Sequence, residues 1–260
     1  MADTRPRGNA APTPAVAAMF DRIARRYDAM NMLISGFQES RWRRRLVAAT
    51  GLGPAMSAVD VATGTGKVAT SLADVVGPFG RVVGVDVSQS MIALARSRNF
   101  DRVELEFLVG DAMALPLPDG GFAPALTASD LEPPHGQDAV AGFDAATIAF
   151  GMRNLPDYGQ GFAEMRRVLR PGGVVACLEI ARPRSLVGSA GRVWFERAVP
   201  WLGGAIGQGD AYRYLVESVR AYPPPEEIAA IMREAGLASV TWRGMLFGMV
   251  TLHTGRRPTD

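Results

Sequence analysis

The feature that most narrows what this chain can fold into is a glycine turn at residues 60–66, Asp-Val-Ala-Thr-Gly-Thr-Gly. Residues 56–59 ahead of it are short and partly apolar, and read as the entry to a buried strand. Residues 67–76 behind it carry Val68, Leu72, Val75 and Val76 at helical spacing. A strand that passes through glycines into a helix makes a ligand-binding corner. Glycine admits positive φ and lets a ligand approach the main chain. The helix start adds N–H groups that have no intrahelical partner. A phosphate-cradling P-loop is excluded, because Val61 stands where its first glycine belongs and Val68 where its hydroxyl belongs. Gly64, Gly66 and Ala69 fit the dinucleotide pattern G-x-G-x-x-G/A. A plain strand-to-helix turn with no ligand is the bland alternative.

A further reading is S-adenosylmethionine, whose corner opens on an acid four positions before the first glycine. Asp60 occupies that place. A carboxylate there repels a pyrophosphate and attracts an ammonium. Asp86 ends the apolar run 81–86, 20 residues past Gly66, and suits the ribose hydroxyls of either ligand. Asp111 follows the apolar run 105–109. A third acid there suits an adenine amino group and is no part of the dinucleotide fingerprint.

With 260 residues and 48% hydrophobic content, the chain can bury a full core as one large domain. A net charge of +2 is too small to argue for nucleic acid. The lone cysteine, Cys177, excludes an internal disulfide framework and reads as apolar filler within 174–178. Two histidines, His135 and His253, cannot build a histidine-rich metal site. No apolar run reaches membrane-spanning length and residues 1–13 lack the apolar core of a signal peptide, so the expectation is a cytoplasmic protein with no metal.

In chain order, residues 1–13 read as a disordered tail and 14–50 as a helical cap on the substrate side. The cap comprises a helix from 14, a turn and short apolar helix over 27–36, and a helix over 40–49. Strands are expected at 81–86, 104–109, 145–150 and 174–180 after the first, with Ser88 capping a helix to about 98. A helix over 158–169 should end at Arg170-Pro171-Gly172-Gly173. Residues 184–222 read as a helical substrate-side segment, 224–235 as the last helix, and 237–242 with 245–254 as a closing hairpin. Alternating strands and helices predict an α/β fold: a doubly wound, seven-stranded, mostly parallel sheet with an antiparallel last strand. Residues 123–142 interrupt the approach to the fourth strand. The start of that stretch, Gly121-Phe122-Ala123-Pro124-Ala125, is echoed 21 positions later by Gly142-Phe143-Asp144-Ala145-Ala146, as in an inserted loop.

The chain resembles the ubiquinone/menaquinone biosynthesis C-methyltransferases, within the class I S-adenosylmethionine-dependent methyltransferases. Asp60, Gly64, Gly66, Asp86 and the Arg-Pro-Gly-Gly turn carry the class resemblance. Residues 20–31 (Phe-Asp-Arg-Ile-Ala-Arg-Arg-Tyr-Asp-Ala-Met-Asn), 150–157 (Phe-Gly-Met-Arg-Asn-Leu-Pro-Asp) and 212–220 (Tyr-Arg-Tyr-Leu-Val-Glu-Ser-Val-Arg) carry the family. The resemblance implies S-adenosyl-L-methionine as cofactor, held by Thr65, Asp86, Asp111 and Ala112. Asp60, Gly64, Gly66, Val87 and Met91 complete the set, and Ala149 stands where some members carry a cofactor-touching serine. The implied acceptor is a ring carbon of a reduced polyprenyl quinone. Ionising an adjacent phenol makes that carbon nucleophilic, so the enzyme must align two carbons and stabilise a phenolate. Arg153 and Asn154, after the fourth strand, and Tyr27 are the candidate catalytic residues. A structural Arg–carboxylate pair and a packed aromatic are the competing readings for Arg153 and Tyr27. A soluble natural-product acceptor, or a non-catalytic scaffold of a quinone-synthesis complex, are the alternatives in function. Aromatics beside arginines (Trp42 with Arg43 to Arg45; Trp194, Phe195 and Trp201 with Arg192 and Arg197) suit peripheral membrane contact, or else core closure or a homodimer contact.

Overall fold

Strands with almost no polar break must be covered on both faces, and the burial of the central strands follows that rule. The computed structural model describes residues 8, 13–34, 38–120, 142–181 and 209–259, and of 25–34 and 209–212 it describes the backbone. Helices α1 (Thr13–Ile34) and α2 (Glu39–Thr50) precede β1 (Ser57–Val61), α3 (Lys67–Val76), β2 (Arg81–Asp86), α4 (Gln89–Arg98) and β3 (Leu105–Val109). Then come β4 (Phe143–Ala149), a 3-10 turn (Met152–Asn154), α5 (Tyr158–Val168), β5 (Leu169–Ile180), α6 (Gly209–Ala221), α7 (Pro225–Glu234), β6 (Ala238–Met245) and β7 (Val250–Arg256). The sheet order is β3-β2-β1-β4-β5-β7-β6. β1 to β5 pair in parallel, and β7 runs antiparallel to both neighbours, as the closing hairpin demands.

Side chains of a strand alternate between faces. On one face Val59, Val83 and Val175 meet Phe162 and Met165 of α5 and Ile228 and Met232 of α7. On the other, Ala58, Val82 and Ala145 meet Leu72 and Val76 of α3 and Ile92 of α4. Each large side chain so buried contributes about 1.5–3 kcal/mol. Helix starts are fixed locally: the Ser88 hydroxyl accepts from Met91 N–H at 3.1 Å, and the Asp157 carboxylate accepts from Gln160 N–H at 3.0 Å. Pro225 opens α7, with Glu226 and Glu227 in its first turn.

Several boundaries differ from those expected, among them that of β7, which starts at Val250 and not at 245. α1 continues unbroken through the expected turn at 27–36 as far as Ile34, because no glycine or proline interrupts it before Gly36. The Arg-Pro-Gly-Gly segment ends α5 as expected but already belongs to β5, with Leu169 opposite Phe143 and a register shift before Ala145. β6 extends to Met245, beyond the expected end at 242. Of the readings for Trp42, core closure matches the packing: it is buried, 7% exposed, among Leu46, Leu178 and Val250, with its ring 6.1 Å from that of Phe150. Trp194, Phe195, Trp201, Arg192 and Arg197 lie outside the described residues, as do 1–7, most of the 123–142 stretch and 182–208. No helix among the described residues is long and apolar enough to cross a membrane.

Candidate active site

Because β1, β2, β3 and β4 are parallel, their carboxyl ends deliver four loops to one edge, the place where open α/β sheets bind ligands. A cleft opens there. Ala62 and Gly64 line it after β1, Asp86, Val87 and Met91 after β2, Asp111 and Ala112 after β3, and Ala149, Phe150, Gly151 and Asn154 after β4. Thr13, Val16 and Phe20 of α1 cover its mouth. Ala62 and Phe150 take left-handed φ of 52° and 57°. Such non-glycine backbone costs on the order of 1–3 kcal/mol and collects at functional sites. The two loops meet closely: a Cβ on Gly151 would come within 2.6 Å of the Ala62 methyl.

Asp86 organises the floor. Its Oδ2 accepts from Gly64 N–H at 2.8 Å and its Oδ1 from Ser88 N–H at 2.9 Å. Burial pushes its carboxyl above the usual range, and the two N–H donors oppose that rise. The Ser88 hydroxyl donates to Asp21 Oδ1 at 2.5 Å, and Ser90 N–H donates to the same oxygen at 3.1 Å. The Ser88 hydrogen bond, more than any other effect, holds the Asp21 carboxyl below its ordinary value. Asp21 therefore ties α1 to the N-terminus of α4, where negative charge is favoured. Asp111 Oδ1 accepts from Met113 N–H at 2.9 Å, which turns the chain back along the cleft wall.

Thr65 lines an adjoining cavity that shares Ala62, Gly64, Ala149 and Phe150 with the cleft. Glu39 of α2 reaches this cavity, 3.2 Å from both Lys67 Nζ and Arg43 Nη1. A carboxylate and two cations beside a glycine turn match the zwitterionic end of an amino acid. Together the two cavities combine the Asp86 carboxylate, apolar walls from Val87 and Met91, and charges of both signs beside Thr65. Among the described residues no group of three or more His, Cys, Asp or Glu side chains is placed to hold a metal ion.

Several sequence-predicted residues lie elsewhere. Asp60 is 1% exposed and sits beneath the turn, not in the cleft wall. Its carboxylate accepts from the Thr63 hydroxyl at 2.6 Å and the Thr147 hydroxyl at 2.7 Å, and burial pushes it up to about 6. It holds β1, the turn and β4 together. Gly66 is likewise a packing position: φ is +83°, and an added Cβ would come within 2.9 Å of the Phe107 ring. Arg153 is 6% exposed, and its Nη1 donates to Glu179 Oε1 and to Phe150 O, each at 2.6 Å. Glu179, fully buried, also accepts from the backbone N–H of Arg153 and Ile180. The Arg–carboxylate pair is thus the observed arrangement, and Arg153 anchors the turn instead of facing the cleft. Asn154 does face it, and its Oδ1 accepts from the Tyr214 hydroxyl of α6 at 3.2 Å. Tyr27 belongs to α1, with its side chain outside the described residues.

Thr13, Glu39 and Glu179 have no local spacing that connects them to the glycine turn, Asp21 is legible only within the family stretch 20–31, and Arg43 only within the arginine run beside Trp42. Phe20 and Tyr214 were visible only as members of family stretches.

The model of the ubiE/COQ5 methyltransferase family matches residues 9–131 and 125–257. A demethylmenaquinone methyltransferase of Thermus thermophilus is 42% identical over 92% of this chain and 100% of its own length. A ubiquinone/menaquinone biosynthesis C-methyltransferase of Hahella chejuensis is 36% identical over 92% of this chain and 90% of its own. Among solved structures, the [4+2]-cyclase SpnF superposes with a TM-score of 0.66 at 18% identity, over 98% of this chain and 100% of its own. A Thermotoga maritima S-adenosylmethionine-dependent methyltransferase gives 0.61 at 19% identity, over 93% and 99%. With the strand order, the cleft and these matches agreeing, this chain belongs to the ubiE/COQ5 methyltransferase family.

Proposed function

We infer that this chain methylates a ring carbon of a reduced polyprenyl quinone precursor, a demethylmenaquinol or a ubiquinone precursor, in quinone biosynthesis. The observation that carries the reading is one edge cleft where the Asp86 floor and the Asn154 wall meet, in a chain 42% identical to a demethylmenaquinone methyltransferase. S-adenosylmethionine, when bound, supplies an electrophilic methyl on a sulfonium. Asp86 would accept hydrogen bonds from its ribose hydroxyls, and Asp111 and Ala112 would border its adenine. Glu39, Arg43 and Lys67 would receive its amino-acid end.

On the acceptor side Asn154 offers an amide to the ring hydroxyl, and Tyr214 fixes its orientation. Arg153 acts from behind, holding the turn that presents Asn154 and placing a permanent cation under the ring's side of the cleft. Tyr27 supplies a second phenol from the cap. α1 keeps water out, which strengthens each of these interactions. Reading the stretch 123–142 as an insertion is supported by the family match, which is split into two pieces within it. Its flanks Gly120 and Gly142 pack on the backbone of Arg167 and Arg170, at the opposite edge of the sheet. The acceptor's tail calls for work at a bilayer surface from the cytoplasmic side.

The test is the quinone profile of cells lacking the protein. The demethylated precursor should accumulate and the methylated quinone should disappear. An unchanged profile would point to the soluble-acceptor reading.

A further inference from the structure

The hairpin between β6 and β7 ends at the same sheet edge as the cleft, because β7 starts opposite the end of β5 at Ile180. Its tip breaks two ordinary rules. Leu246 and Phe247 take left-handed φ of 47° and 55°, a region that residues with a Cβ rarely adopt. Both are also presented to solvent, Leu246 at 43% and Phe247 at 68% exposure. A short groove separates this tip from α2, lined by Gln38, Arg41, Arg45 and Trp42 on one side and by Leu246 and Phe247 on the other. Arg41 and Arg45 share one face of α2 and are both exposed. Arg43 of the same helix pairs with Glu39, whereas Arg41 and Arg45 form no ion pair among the described residues. Among the described residues no carboxylate lines the groove. Its floor is Trp42, whose ring meets Phe150 in the cleft wall.

We propose that this tip and these two arginines form the docking surface for an anionic phospholipid bilayer. Leu246 and Phe247 enter the interface at acyl depth while Arg41 and Arg45 lie on the phosphates. The combination selects a lipid surface over a second protein: apolar side chains project beside guanidinium groups that, among the described residues, have neither an ion pair nor an acid beside them in the groove. The location is also telling, because a lipid-tailed acceptor rising between tip and α2 would meet Trp42 and then Phe150. That last step rests on the acceptor inferred above; the surface itself does not.

The experiment is cosedimentation of the full chain with vesicles of phosphatidylcholine alone and of equimolar phosphatidylcholine and phosphatidylglycerol. Four proteins are compared: wild type, Phe247→Ala, the Arg41→Gln/Arg45→Gln double variant, and Phe79→Ala. Phe79 is 84% exposed and precedes β2 at the opposite edge, so it reports non-specific stickiness. The wild type should bind the mixed vesicles and weaken with salt. The arginine variant should bind roughly tenfold or more weakly and lose its preference for the anionic lipid. Phe247→Ala should weaken binding to both compositions, and Phe79→Ala should match the wild type. Methylation of a short-tailed hydroquinone in solution should be the same in all four, which shows that fold and chemistry are intact. No binding of wild type to the mixed vesicles, hairpin and arginine variants that bind like wild type, or an equal loss in Phe79→Ala would each overturn the proposal. Hairpin-dependent binding by a protein that methylates no quinol would support the surface and overturn only the acceptor.

Discussion

At the scale of single residues, the acids of the glycine corner divide their labour by burial. Asp86 borders the cleft, whereas Asp60 lies beneath it and is held by two threonine hydroxyls. Burial raises the Asp60 carboxyl from an ordinary 3.8 to about 6, so the folded chain retains a proton there that the unfolded chain has released. The stabilisation from that proton is complete below the lower value and is lost as pH rises through the higher one. In urea unfolding, Asp60→Asn should remove a downward slope of stability between those two values. A variant whose pH profile parallels the wild type would contradict this.

Arg153 invites a second prediction at the same scale. Arg153→Ala leaves the fully buried Glu179 without its guanidinium, and breaking such a pair costs on the order of 3–5 kcal/mol. Unfolding should therefore show a large loss of stability, and turnover should fall through displacement of Asn154, with cofactor affinity little changed. A stable variant with low turnover would return Arg153 to direct contact with the acceptor.

At the scale of elements, α1 is a cap tethered to the core by a hydrogen-bonded acid. Asp21 meets Ser88 and Ser90 at the start of α4, and Ser88 in turn donates its N–H to Asp86. Loss of this tether should loosen the lid and the cofactor floor together. Asp21→Ala should weaken binding of S-adenosylhomocysteine about fivefold by calorimetry, the effect of roughly 1 kcal/mol for a mostly exposed contact. Amide exchange of residues 13–24 should rise in the same variant. Unchanged affinity with faster exchange would separate the lid from the site. For residues 123–142 the expectation is the opposite, since the described flanks Gly120 and Gly142 sit at the far edge. Deleting 123–142 should leave fold and turnover intact, measured by thermal unfolding and by methyl transfer; a folded but inactive deletion would mean the loop reaches the chemistry.

At the scale of the whole molecule, the sheet was legible because its signals are local. Apolar runs 81–86 and 105–109, the Ser88 cap and the glycine turn each act within a few residues, and all of them recur in the structure. The extent of α1 was less legible, since a run of polar and apolar residues at 27–36 supports a turn or a helix equally until tertiary packing decides. The site was legible where a strand end carries a residue into the cleft, as with Asp86, Asp111 and Asn154. It was illegible where function depends on depth: nothing in the spacing distinguishes Asp60 under the turn from an acid in the wall, or shows that Glu179 lies against Arg153. The hairpin tip at Leu246 and Phe247 was equally hidden, because left-handed backbone at non-glycine residues leaves no mark in the sequence.

The central claim is carbon methylation of a reduced, lipid-tailed quinone. It is tested most directly by incubating the protein with S-adenosylmethionine carrying a deuterated methyl and with demethylmenaquinol in vesicles, then fragmenting the product in a mass spectrometer. One labelled methyl should be retained on the ring carbon, formed from the quinol and not from the oxidised quinone. A label on oxygen, or no transfer to the quinol by protein that binds S-adenosylhomocysteine, would contradict it.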